Sequence, residues 1–237
     1  MLLSVIVPAF NEELYLPQSL SSLQRAAAEC RCDVELIVVD NASTDGTAEI
    51  ARACGARVVG EPVHNVARVR NAGAATARGE VLVFVDADTV VPHDFLNRVN
   101  EAITEPLCLG GSANVVHRVK SGVLCAYLWA WRWIGFKLGM AQGAAQFCLA
   151  SAFRVLNGYD ESQFMGEDVD FYWRLRQLSA RSGGHVQFLS DVKVVPSPRR
   201  FDMVPVWRTL IWTNPVFIRA FRKSRLAWAQ WYVTPPR

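Results

Sequence analysis

The sequence predicts an α/β fold, a mostly parallel sheet flanked by helices. Two observations carry that expectation. Short, near-continuous apolar runs alternate with segments of helical spacing through the first half of the 237-residue chain. Such runs mark strands buried on both faces. Acidic and amide residues gather directly after those runs, where a parallel sheet binds its ligands.

The elements follow in order. Residues 3–7 are an apolar run closed by Pro8, which suits a buried strand. Residues 14–29 space Leu16, Leu20, Leu23 and Ala27 as a helix does. Residues 34–39 are a second strand running into Asp40-Asn41. Ser43-Thr44-Asp45 offers helix-capping chemistry, and the helix over 47–54 stops at Gly55. Residues 57–59 form a third strand, 66–77 a helix stopped by Gly79, and 80–85 a fourth strand ending in Asp86-Ala87-Asp88.

The second half is less regular. A helix is expected over 94–103, and a strand over 107–117 broken at Gly110-Gly111. Residues 144–153 mix small and apolar side chains, and Gly158 marks a turn. Residues 166–178 read as a helix opening on Glu167-Asp168, and 186–195 as a strand or hairpin. The segment 121–140 is apolar but interrupted by Arg132 and Lys137, so it is expected as a buried or interfacial helix and not a membrane span.

With 51% hydrophobic and 20% charged residues, the chain can bury a core and is not a disordered polymer. The net charge of +3 is uneven. Residues 199–237 hold eight basic residues and one acid, Asp202, so this tail carries +7 and the remainder −4. A basic tail suits nucleic acid or a membrane surface. Six cysteines show neither a CxxC pair nor a metal-type cluster. The chain enters its first strand with no basic leader before it, so reduced thiols in a cytoplasmic protein are expected.

Three polar clusters should meet at one sheet edge. Asp86 and Asp88 flank one small residue after an apolar strand, and two such carboxylates suit Mg²⁺ or Mn²⁺, or else a solvated turn. Asp40 reads as an Asx-turn or as an acceptor for a nucleobase imide. Asn11-Glu12-Glu13 reads as a helix start, with acids near the positive end of its dipole. Glu167-Asp168 reads as a helix cap or as a general base facing a hydroxyl acceptor.

Five segments, in this order and spacing, resemble family 2 glycosyltransferases: SVIVPAFNEE, VVDNASTDGT, VARVRNAG, VFVDAD and GYDESQFMGEDVDFYWRLR. The resemblance covers roughly residues 3–195. It implies a GT-A fold, an inverting transfer and a nucleoside diphosphate sugar donor, with UDP as the default and GDP or dTDP as other donors. It further implies that Pro8, Ala9 and Glu12 line the nucleotide pocket and that Asp40 meets the base. Arg68 or Arg70 then lies near the nucleotide, Asp86 at the ribose or metal, and Asp88 on the Mn²⁺ or Mg²⁺. Asp168 matches the family's base, with Glu167 beside it, and Gly143 to Gln146 match the donor-sugar and acceptor region. Many relatives carry a metal-ligating His after the last core strand. Here the stretch reads VVPSPRRF, the nearest histidine is His185 at the strand's start, and Arg199 and Arg200 are candidates to face the diphosphate.

These readings divide the chain into a transferase domain, 1–198, and a basic aromatic extension, 199–237, packed on it. Within the domain, 1–105 is the nucleotide half and 106–198 the acceptor half. The extension holds Trp207, Trp212, Trp228 and Trp231 among arginines and is broken at Asn214-Pro215. That composition suits peripheral contact with the inner face of a membrane and a lipid-linked acceptor in cell-envelope or polysaccharide synthesis, not nucleic acid. Competing readings are a non-catalytic nucleotide- or glycan-binding protein and a sugar nucleotidyltransferase. The acidic PAFNEELYLP, where the latter class carries a Gly-rich basic loop, counts against it. No GxGxxG follows a strand, which disfavours a dehydrogenase.

Overall fold

The computed structural model describes residues 1–138, 143–199, 201 and 204–228. The first half folds as alternating strands and helices: β1 (Leu2–Ala9), α1 (Leu16–Ala28), β2 (Asp33–Asp40), α2 (Thr47–Ala53), β3 (Arg57–Gly60), α3 (Val66–Thr76) and β4 (Val81–Val85). β1 pairs in parallel with β2 and β4, and β2 with β3. Alternate residues enter opposite layers, as a period of two requires. Val5, Val7, Val83 and Val85 join the core layer that includes Leu16, Leu20 and Leu23 of α1. Ile6, Ile37, Leu82 and Phe84 join the layer beneath Ala67 and Val69 of α3. All five residues of β4 are buried, the signature of a strand covered on both faces.

Next come β5 (Thr89–Val90), α4 (Phe95–Thr104), β6 (Cys108–Val115), α5 (Gly122–Leu138), β7 (Ala145–Leu149), α6 (Ala150–Val155), α7 (Glu167–Arg181) and β8 (His185–Pro196). The sheet order is β3-β2-β1-β4-β7-β6-β8-β5. β7 is antiparallel to both β4 and β6, so β6 and its parallel neighbour β8 point the same way as β4. The ends of β1, β4, β6 and β8 therefore share one edge of the sheet.

Three second-half expectations are refined. Gly110 and Gly111 do not break the strand. They lie inside β6 at a register shift, Gly110 with φ 155°, and a Cβ on Gly111 would strike the Gln187 carbonyl. The mixed stretch 144–153 separates into a strand and a short helix, and 186–195 is one long strand and not a hairpin.

The break at Asn214-Pro215 separates α8 (Val206–Trp212) from α9 (Pro215–Phe221). Tyr127 Oη on α5 lies 2.7 Å from Thr213 Oγ1, and the Phe164 amide donates to the Arg222 carbonyl at 2.6 Å. Trp228 is buried, its indole N–H donating to the Phe221 carbonyl. Trp231 lies outside the described residues. All six cysteines are free thiols.

Candidate functional site

A cleft of about 320 Å³ opens at the shared strand edge. Pro8, Ala9 and Glu12 line it from the end of β1, Asp86 and Asp88 from the end of β4, and Arg199 from beyond β8. Gly143, before β7, and Glu167 and Asp168, at the start of α7, complete the lining. The antiparallel pairing of Val85 with Ala145 brings Gly143 to this edge.

Two buried arginines organise the carboxylates. Arg70 Nη1 donates to Glu167 Oε1 at 2.6 Å, and Nη2 to Asp86 Oδ1 at 3.0 Å. Its guanidinium carbon sits 5.3 Å from the centre of the Tyr159 ring. Burial works against the Arg70 charge, but the Asp86 and Glu167 carboxylates outweigh it and raise its pKa. Arg199 donates to Glu12 Oε1, has its Nε 3.3 Å from Asp88 Oδ2 and stacks 4.4 Å from the Tyr15 ring centre.

The acid pair on α7 is held differently at each member. Glu167 is engaged by Arg70. Asp168 Oδ2 accepts the Gly143 amide at 2.6 Å, and Oδ1 accepts the Val169 amide at 2.8 Å. Burial raises the pKa of both carboxyls, and for Glu167 the neighbouring Asp168 adds to the rise. The Arg70 charge opposes it in each case. These acids sit near the positive end of α7, which carries three acids in its first turn.

Other predicted residues stand outside the cleft lining. Asp40, at the end of β2, accepts the Ser43 amide at 3.2 Å in an Asx-turn, and its neighbour Asn41 lines the cleft instead. Arg68 Nε donates to Glu61 Oε1 at 2.9 Å on the flank of α3. Gln146 is buried beneath the wall, donating to the Asp168 carbonyl at 3.1 Å and accepting from the Tyr159 hydroxyl at 3.2 Å. Arg200 lies outside the described residues. His185 is exposed, 3.4 Å from Glu105.

His117, which sequence reasoning passed over, lines the cleft from just beyond β6 and packs edge-on against Phe201. The strand-end rule that picked out Asp86 applies equally to β6, because β6 runs in the direction of β4. Tyr159 was also missed. It supports both Gln146 and Arg70 from below the cleft.

Among the described residues, Glu12, Asp86, Asp88, Glu167 and Asp168 set five carboxylates in the lining against the guanidiniums of Arg70 and Arg199. Such a cleft opposes a polyanionic ligand unless a cation enters with it. Asp86 and Asp88 present hard oxygens of the kind Mg²⁺ and Mn²⁺ take. Among the described residues no group of three or more His, Cys, Asp or Glu stands at metal-ligand spacing. A metal here fits as one held by these two aspartates, its other positions left to phosphate oxygens and water.

Residues 4–145 match the profile of the family described as glycosyl transferase family 2. The chain is 35% identical over 109 residues to the undecaprenyl-phosphate 4-deoxy-4-formamido-L-arabinose transferase of Aeromonas hydrophila, a stretch covering 43% of this chain and 33% of that protein. The fold is similar to that of S. aureus TarS in complex with UDP, with a TM-score of 0.64, 19% identity and coverage of 99% of this chain and 76% of that one. It is also similar to glucosyl-3-phosphoglycerate synthase from Mycobacterium tuberculosis in complex with Mn²⁺, UDP and glucosyl-3-phosphoglycerate, with a TM-score of 0.65, 19% identity and coverage of 93% and 79%. At this identity the two structures speak for the fold.

Proposed function

The chain belongs to glycosyl transferase family 2 and has the GT-A fold, and from that premise we propose that it is a metal-dependent, inverting transferase that moves a sugar from a nucleoside diphosphate to a hydroxyl acceptor. The observation that carries this reading is one cleft lined together by Asp86, Asp88 and Asp168. Those carboxylates can serve the two duties the reaction needs: charge handling at the leaving group, and proton removal at the incoming hydroxyl.

Residues 1–105 take the donor, UDP in the first instance and GDP or dTDP by the same chemistry. Pro8, Ala9 and Glu12 line the nucleotide pocket, and Asp40 and Asn41 lie toward the base. Arg70, inside the cleft, is favoured over Arg68 as the arginine near the nucleotide. Asp88 and Asp86 would hold the Mn²⁺ or Mg²⁺, which when bound supplies positive charge against the departing diphosphate. Arg199 adds fixed positive charge beside Asp88.

Residues 106–198 take the acceptor. Asp168 is the base, because Glu167 is committed to Arg70 while Asp168 is oriented by the Gly143 amide and meets the cleft. Burial raises its pKa and makes its carboxylate a stronger proton acceptor, and the nearby Arg70 charge opposes that rise. Gly143 and the Gln146-supported wall position the donor sugar and acceptor. The named acceptor of the Aeromonas relative supports a lipid-linked acceptor in cell-envelope synthesis and a cytoplasmic protein at the inner membrane face.

Calorimetric titration of UDP, GDP and dTDP, with and without Mn²⁺, into wild type and Asp88→Ala tests this reading. One nucleotide should bind, require the metal and fail to bind Asp88→Ala. Binding of none under any condition would leave only a non-catalytic member of the fold.

A further inference from the structure

Three helical segments place large apolar side chains in solvent. On α5, Val123 is 71% exposed and Trp129 63%; on α8, Trp207 is 64% exposed; beyond α9, Leu226 is 90% exposed. The pattern on α5 is helical: Leu124, Tyr127, Leu128 and Trp131 are buried or half-buried, while Ala126, Trp129, Ala130 and Trp133 are exposed. The Tyr127–Thr213 contact sets this helix against the end of α8. An exposed apolar face of this kind on a folded chain marks an interaction surface.

Charge decides what covers it. No Asp or Glu occurs from residue 106 to 159, nor from 203 to the end of the chain. Those stretches carry Arg118, Lys120, Arg132, Arg208, Arg219 and Lys223, among other basic residues. Of these, all but Arg208 are exposed, as is Arg225. A second copy of the chain meeting this face about a two-fold axis would bring like charge against like charge. Asp170 lies 4.0 Å from Arg222, but these segments themselves set tryptophan beside arginine with no acid, the composition that lies in a phospholipid headgroup layer, where anionic lipid attracts the cations. Among the described residues no helix is long and apolar enough to cross a membrane, so the contact is one of lying on the surface.

We propose that α5, α8 and the chain around α9 form a docking face for an anionic phospholipid surface. The face adjoins the acceptor side of the cleft. The Phe164 amide donates to the Arg222 carbonyl, and a Cβ on Gly166 would lie 3.2 Å from Ile218 Cγ2, so α9 sits against the start of α7 that carries Glu167 and Asp168. Docking would bring a lipid-borne acceptor to that side of the cleft. In that purpose it rests on the lipid-linked acceptor of the proposed function.

The test is flotation of the full chain with vesicles of phosphatidylcholine alone or equimolar with phosphatidylglycerol. Wild type should float with the anionic vesicles only, and about 0.5 M salt should weaken binding severalfold. Trp129→Ser/Trp207→Ser and Arg219→Glu/Arg225→Glu should each weaken it roughly tenfold or more. All these positions are exposed, and unchanged thermal melting shows that each variant is folded. Absence of wild-type binding, or equal binding by the variants, overturns the proposal. So does a concentration-dependent dimer that Trp129→Ser dissociates without any vesicle binding. Nucleotide titration is read without lipid, so loss of vesicle binding alone rejects the docking face, and loss of nucleotide binding alone rejects the transferase reading.

Discussion

The backbone amide of Gly143 donates to Oδ2 of Asp168 at 2.6 Å, joining the chain before β7 to the first turn of α7. The approach leaves no room for a side chain. A Cβ on Gly143 would lie 2.7 Å from Asp168 Cβ and 2.9 Å from Arg70 Nη2. Gly143→Ala must therefore push Asp168 and Arg70 out of place. Transfer chemistry is sensitive to displacements of this size, so kcat should fall by about 10²-fold, and nucleotide affinity should fall by less through the shift of Arg70. Steady-state kinetics beside nucleotide titration checks the split. An unchanged kcat would remove the bond from the catalytic geometry.

The two acids of α7 should separate by role. Asp168→Asn should lower kcat by about 10²–10⁴-fold, the span of a lost general base. Glu167→Gln should cost less, because its carboxylate is spent on Arg70. The pH profile gives the sign. A base works ionised, so activity holds above its pKa and is lost as pH falls through it. Burial raises the Asp168 pKa above the ordinary 3.8, so the acid limb should lie above that value. Arg70 opposes the rise, so Arg70→Met should move the limb to higher pH. A limb that stays put in Arg70→Met would assign it to another group.

Much of the site was legible because a parallel sheet gathers its strand ends. Asp86 and Asp88 follow a five-residue apolar run, and that alone places them at the cleft. Arg68 and Arg70 could not be ranked from the motif, yet two residues of helix turn the chain by about 200°. Only one of the pair can face the sheet edge, and it is Arg70. β7 was illegible as a strand because Leu149 passes into Ala150 of α6 with no Gly, Pro or polar break. Missing β7 also hid His117, since its antiparallel insertion is what returns β6 to the direction of β4. β5, two residues long, offers too short a pattern for any periodicity.

The Arg70–Glu167 pair is buried, so its removal should act on stability as well as on chemistry. Arg70→Met strands the buried Glu167 carboxylate, and breaking a buried pair from one side costs about 3–5 kcal/mol. Glu167→Gln on the Arg70→Met background removes one stranded charge and should restore part of the loss. Urea denaturation of the two single variants and the double variant closes the cycle. A double variant whose loss equals the sum of the singles would show that the two side chains do not couple in the folded state.

Away from the cleft, Glu35 on β2 should govern acid stability. Its Oε1 accepts the Ser4 hydroxyl at 2.6 Å and the Arg78 amide at 2.7 Å, and its Oε2 accepts Arg78 Nε at 3.0 Å and Arg57 Nη2 at 3.1 Å. Burial alone would raise its pKa, but these donors win and hold it at about 2, against an ordinary 4.5. The pKa is depressed in the folded state, so the contribution is complete above pH 4.5 and is lost as pH falls toward 2. The gap corresponds to about 3 kcal/mol at most, and salt trims it because Arg78 is exposed. Glu35→Gln should lower stability at neutral pH by about 2–3 kcal/mol and flatten its dependence between pH 5 and 2. Denaturant midpoints across that range decide the matter: parallel curves for wild type and variant would mean that other carboxylates carry the acid transition.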